Sequence, residues 1–141
     1  MAEPFQSAEE FREVFDKTFR TLSEDEGLGG PLKAADIPQS FYFEDLQLVA
    51  HLRPSREGEE GQLVWKWGDP EWEPRVRMTM TSETANRYFQ GKENVTVAIA
   101  TKRIKTGGDV KAALGSLPLA QPVIEQYRAI VAADYPHLAL Q

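Results

Sequence analysis

The chain has 141 residues, 41% hydrophobic and 27% charged, which is the make-up of a single globular domain over 1–141 and excludes wholesale disorder or a fibrous repeat. Cysteine is absent and the two histidines, His51 and His137, lie far apart, so a disulfide framework, a thiolate nucleophile and a Cys-ligated zinc site are excluded, and no metal or cofactor is expected. The net charge of −6 divides unevenly, with 7 Lys and Arg against 17 Asp and Glu in residues 1–74 but 9 against 5 in 75–141, which speaks against a nucleic-acid partner and leaves a basic second half.

Met1 to Gln6 lacks the basic and apolar sections of a secretory signal, and no stretch approaches the ~18 apolar residues of a spanning helix, so a cytoplasmic protein is expected. Ser7 with Glu10 forms a capping-box pattern, and Phe11, Val14, Phe15, Phe19 and Leu22 follow at helical spacing. This predicts an amphipathic helix with an aromatic stripe. Ser23 to Gln39 is rich in glycine and proline and reads as a long connection with a helical turn around Leu32 to Ala35.

From Phe41 the period becomes two. Leu46, Leu48, Ala50 and Leu52 share one parity and Phe41 and Phe43 the other, so a bulge or bend near Glu44 and Asp45, or two separate short strands, is required. Leu63, Trp65 and Trp67 alternate in the next strand, and an antiparallel hairpin joins the two. Asp69 to Pro74 reads as a turn from which Trp72 folds back as a plug. Val76, Met78 and Met80 alternate in a further strand, Thr81 or Ser82 caps a helix burying Ala85, Tyr88 and Phe89, and Gly91 ends it. Val95, Val97 and Ile99 suggest another strand, continued or followed by Lys102 to Thr106. Asp109 caps a helix with Val110, Ala113, Leu114 and Leu117 at helical spacing, Pro118 breaks it, and Pro122 opens a last helix with Val123, Ile124, Tyr127, Ile130 and Val131 on its apolar side. The predicted fold class is α+β, a mainly antiparallel sheet of about five strands with helices on one face.

Within Arg75 to Asp109 three fragments recur in order: Met80-Thr81-Ser82-Glu83, then Phe89 with Gly91-Lys92, then Arg103-Ile104-Lys105 leading to Gly108-Asp109. In this order and spacing the stretch resembles the sterol carrier protein type 2 family, and the flanking elements fit that family's architecture over about residues 7–135. The chain departs from the pattern at Ala100-Thr101-Lys102, where a glycine is usual, and its Leu138-Ala139-Leu140-Gln141 end is not a Ser-Lys-Leu address, which points to a free-standing, bacterial-type member.

The resemblance implies a lipid carrier, not an enzyme, with an apolar ligand (fatty acid, acyl-CoA or sterol-like lipid) in a tunnel between sheet and helices, and transient contact with a membrane surface. The candidate lining residues are Phe15, Phe19, Leu63, Trp65, Val76, Met78, Met80, Phe89, Val97, Ile99, Leu114, Ile124 and Tyr127, and the candidate head-group contacts are Lys102, Arg103 and Lys105. Every lining residue lies on an apolar face of the kind that any core is made of. Two other functions therefore stand beside the carrier: a partner-binding or regulatory module with a filled core, and a small pocket enzyme that uses a buried carboxylate.

Overall fold

The computed structural model describes residues 7–69, 72–115 and 117–140; the Met1–Gln6 stretch and the side chains of Val110, Leu117 and Pro118 lie outside the described residues. Helix α1 (Ala8–Glu24) starts where Ser7 Oγ accepts the Glu10 N–H at 3.1 Å, and it buries the predicted stripe of Phe11, Val14, Phe15, Phe19 and Leu22. Asp25 ends α1 and caps α2 (Glu26–Ala35), its carboxylate accepting the N–H groups of Gly27 and Leu28. Much of the expected Ser23–Gln39 connection is therefore helical. The glycines that argued for a loop serve close packing instead, since a Cβ on Gly29 would stand 2.2 Å from the Leu22 carbonyl oxygen and 2.9 Å from Gln62 Cβ.

Five strands follow: β1 (Gln39–Phe43), β2 (Leu48–Pro54), β3 (Leu63–Trp67), β4 (Val76–Met80) and β5 (Lys105–Gly108), in the spatial order β3-β2-β1-β4-β5. The parity slip between Phe41 and Leu52 resolves into two strands. β1 turns back as β2 with Phe41 opposite Ala50, so Phe41, Phe43, Ala50 and Leu52 all face the core. β2 and β3 form the expected antiparallel hairpin.

The sheet is mixed rather than mainly antiparallel, because β4 lies beside β1 in parallel register, Phe41 opposite Met78. β3 and β4 consequently run the same way with β2 and β1 between them, so no tight hairpin can join them. Trp72 folds back against β2, its ring 6.3 Å from that of His51 and 4.9 Å from the Arg53 guanidinium carbon. His51 beneath it is fully engaged: Nδ1 lies 2.6 Å from Ser40 Oγ and Nε2 2.6 Å from the Gly68 carbonyl oxygen.

Helix α3 (Ser82–Phe89) is capped by Thr81, and Gly91 follows it in the left-handed region with φ of 73°. The strand expected over Val95 to Ile99 is a helix, α4 (Val95–Ala100), capped by the Asn94 side chain on the Val97 N–H. A six-residue β-branched run fits periods of two and 3.6 equally well, and here the cap and the burial of Ala98 select the helix. Then come α5 (Val110–Gly115), a 3-10 turn (Leu117–Ala120) and α6 (Gln121–Asp134). α1 and α6 pack together over the sheet's inner face, burying Val123, Tyr127 and Val131 from α6.

Candidate ligand-binding site

The centre of the interior is an aromatic cluster. Phe15 is its hub, with ring centroids 4.6 Å from Phe11, 4.9 Å from Phe89, 5.4 Å from Tyr127, 5.6 Å from Phe43 and 5.8 Å from Phe19. These tilted and edge-on pairs fill one another's space. Behind Tyr127 a polar network is closed off from water: its hydroxyl donates to Asn86 Oδ1 at 2.7 Å, Gln90 Nε2 donates to the same oxygen, and both amides also donate to the Leu138 carbonyl. Burial drives the Tyr127 phenol pKa far above its ordinary value.

The layers part along one seam. Phe19, Phe41, Leu52, Phe89, Leu32 and Val123 border it, together with Tyr88, Leu119, Ala120 and the amide of Gln39, and it holds a cavity of about 30 Å3. Past Leu32, Gln39, Leu52 and Leu119 it narrows to about 10 Å3 between Ile37, Pro54 and Leu63. Its walls thus come from α1, α2, β1, β2, β3, α3, the 3-10 turn and α6. Burial in this wall pushes the Tyr88 phenol up to about 12. A cavity of this size takes a water or two, whereas ligand pockets run to roughly 300–1,000 Å3. The continuous tunnel expected from the sequence is therefore closed in this structure.

No family model matches the chain, and no curated protein matches it in sequence. Solved structures do. Sterol carrier protein 2 from Yarrowia lipolytica, in its apo form, superposes with a TM-score of 0.60 at 15% identity, covering 87% of this chain and 95% of that one. The chain has the sterol carrier protein 2 fold. The ubiquinone synthesis protein UbiJ-SCP2 matches at a TM-score of 0.54 and 12% identity over 72% of this chain and 84% of that one. The sec-alkylsulfatase Pisa1 from Pseudomonas sp. matches at a TM-score of 0.54 and 22% identity over 69% of this chain, which spans 14% of the alkylsulfatase.

Within the sterol carrier protein 2 fold, the residues singled out by sequence fall into several distinct settings. Phe19, Phe89 and Leu63 border the seam. Phe15, Val76, Met78, Met80 and Tyr127 lie in the solid core, none more than 5% exposed. Trp65 is half-buried on the inner face, where its indole N–H donates to Asp16 Oδ1 at 3.0 Å beside that of Trp67 at 2.8 Å. Ile99 and Ile124 are half-buried outside the seam's wall.

Val97 and Leu114 are corrections, because they are 45% and 50% exposed and border neither part of the seam. Once Val95–Ala100 winds into a helix, Ala98 takes the inward place that a strand would have given Val97. Leu114 yields the inward place on α5 to Ala113. The basic candidates stand apart from the seam as well. Arg103 donates to Glu93 at 2.6 Å, and Glu93 also accepts from Arg87 at 2.8 Å. Burial raises the Glu93 pKa, but the two guanidinium hydrogen bonds outweigh it and hold the carboxyl below its usual value. Lys102 and Lys105 are exposed, with Lys102 in the left-handed region at φ of 64°.

Sequence reasoning missed the far wall, Leu32, Ile37, Leu119 and Ala120. The available signal was Asp25 followed by Leu28 and Leu32, an N-cap and an i, i+4 apolar pair, obscured by Gly29, Gly30 and Pro31 between them.

Proposed function

We propose that this domain binds a long apolar ligand, a fatty acid, acyl-CoA or sterol-like lipid, between its sheet and helices, and that it binds rather than catalyses. The observation that carries the proposal is the seam. It is a break between the layers bordered mostly by apolar residues, with Gln39, Tyr88 and, at its narrow end, Arg53 as the polar ones, and one wall is loosely held. α2 buries Gly29 alone completely, while Leu28 and Leu32 remain half-buried, so this helix and the 3-10 turn carrying Leu119 separate at little cost in core contacts. Covering roughly 300 Å2 of ligand at about 25 cal/mol per Å2 supplies ~7 kcal/mol, from which the opening and the lost freedom of the ligand are subtracted. The fold shared with a sterol carrier protein 2 and with part of a sec-alkylsulfatase supports a ligand with an alkyl or polycyclic body. The seam's lining has no carboxylate among the described residues, which supports binding over acid–base chemistry.

The small cavity favours a second reading, a module whose filled core serves as a scaffold and whose surface meets a partner. Native mass spectrometry separates the two. After incubation with long-chain fatty acid, a carrier retains one ligand mass per chain, and a filled-core module stays at the mass of the chain alone.

A further inference from the structure

We propose that the outer face of the sheet, the side away from α1 and α6, carries a second binding site, for a small ligand with a flat apolar body and a carboxylate. The strand register sets two rows of side chains across this face. One row runs His51, Ser40, Arg77 and Gly107, and the next runs Val49, Tyr42, Thr79 and Lys105. The first row is low, because Ser40 and His51 are buried and bonded to each other and Gly107 has no side chain. With Glu73 and Pro74 from the segment before β4, the two rows border an open groove of about 330 Å3. Phe41 and Leu52 alternate with Ser40 and His51 along the same strands and border the seam, so the sheet itself separates the two sites.

Arg77 gives the groove its chemistry. Gly107 stands opposite it on β5 and is not in the left-handed region, so no turn demands a glycine there. A Cβ on Gly107 would lie 3.4 Å from Arg77 Nε and 3.6 Å from Nη2, which places the guanidinium over this bare stretch of β5. Arg75, two residues earlier on the same face, is paired with Asp109 at 3.2 Å, whereas the exposed Arg77 has no hydrogen-bond or ion-pair partner among the described residues. The hydroxyls of Tyr42 and Thr79 likewise have none. Ser40 is different: the Gly68 carbonyl only accepts, so His51 Nε2 carries the ring hydrogen and Nδ1 of the neutral ring accepts from the Ser40 hydroxyl. The open donors of the groove are therefore one guanidinium and two hydroxyls, and Lys105, beside Thr79, adds a second positive charge. Such a set is met by a carboxylate, which accepts two parallel N–H bonds from arginine and has lone pairs left for the hydroxyls.

The rest of the lining selects the body of the ligand. Val49, Pro74 and the Tyr42 ring, which is 39% exposed, supply apolar surface beside the donors. The groove reaches the lower end of the range of ligand pockets, roughly 300–1,000 Å3, and this suits a compact ring system. On an open surface a flexible chain loses its rotational freedom when it is held, and a rigid ring system does not. Glu73 is the one carboxylate in the described lining, and it opposes an anionic ligand from the rim.

The test is a titration of the isotope-labelled chain with naphthoate, followed by amide NMR, with naphthamide as the uncharged counterpart of the same body. Naphthoate is expected to saturate near one molecule per chain and to move the amide signals of Tyr42, Thr79 and Gly107 while those of Leu32 and Ala120 stay in place. Naphthamide should bind at least about tenfold more weakly. Arg77→Gln, at an exposed position, should weaken naphthoate by about tenfold or more and remove its advantage over the amide. Tyr42→Phe should weaken it by about threefold or more, and carries the test if Arg77→Gln melts below the parent. Glu73→Gln is expected to strengthen naphthoate binding by about twofold at low salt, an effect that a merely structural groove would not show. No saturable binding, equal binding of naphthoate and naphthamide, shifts confined to Leu32 and Ala120, or Arg77→Gln and Tyr42→Phe variants that bind like the parent would overturn the proposal. Fatty-acid retention by Arg77→Gln in native mass spectra reads the seam separately, so a failure of either site is recognised as its own.

Discussion

The Tyr127 hydroxyl donates to Asn86 Oδ1 at 2.7 Å, and this bond joins α6 to α3 inside the core. A residue whose spacing suggested a ligand contact is thus a strut between helices. Tyr127→Phe removes the bond but leaves Asn86 Oδ1 with its Gln90 donor, so a loss of about 1–2 kcal/mol in urea unfolding is expected, with ligand retention unchanged. A variant as stable as the parent would show that the network carries no net stability.

Gly29 and Gly30 are neighbours in α2 with opposite surroundings. A Cβ at Gly29 meets the Leu22 carbonyl oxygen at 2.2 Å, and one at Gly30 meets nothing within 4 Å. Gly29→Ala is expected to destabilise by about 1–3 kcal/mol through displacement of α2, while at Gly30→Ala the gain in helix propensity is offset by the following Pro31, so a change within about 0.5 kcal/mol is expected. Thermal melts of the two variants check this, and equal effects would contradict the packing described.

Asp16 accepts the indole N–H groups of both Trp65 and Trp67 on one carboxylate oxygen. Asp16→Ala leaves two half-buried donors unpaired in protein, at a cost of about 1–3 kcal/mol, with a shift of tryptophan emission to longer wavelength as water replaces the carboxylate. Unaltered emission would show that the pair is already hydrated.

The acid side of the stability profile has a named contributor. Hydrogen bonds from the Arg53 guanidinium, and then from the Arg56 N–H, lower the Glu59 pKa from 4.5 to about 2. Because the folded value lies below the unfolded one, this stabilisation is complete above about pH 4.5 and is lost as pH falls toward 2. Glu59→Gln is therefore expected to flatten part of the fall in melting temperature across that window and to lower stability at neutral pH. A profile identical to the parent's would assign the acid sensitivity to other carboxylates.

The sequence made α1, α3, α6 and three of the strands legible, because each carries a cap or a clean apolar period, such as Ser7 with the Phe11–Leu22 stripe. It did not reveal α2, where Gly29 is kept for contact with Leu22 and not for a turn. α4 was misread because Val95, Val97 and Ile99 satisfy both periods, and the Asn94 cap decides between them. The parallel β1–β4 pairing has no local signature, since it sets Phe41 opposite Met78, two strands far apart in sequence with β2 and β3 formed between them. Apolar faces identify the residues that go inside, but they do not say whether those side chains meet each other, as Phe15 and Phe89 do, or leave room, as Leu32 and Leu119 nearly do.

The proposed role stands on the seam opening to admit a ligand. Titration with a fluorescent long-chain fatty acid tests this most directly, in the parent chain and in Ala120→Phe, which places an aromatic ring where the half-buried Ala120 now forms the wall. Saturable binding near one probe per chain, weakened by about tenfold or more in the variant, is the expected result. No saturable binding by the parent, or equal binding by both proteins, would contradict it.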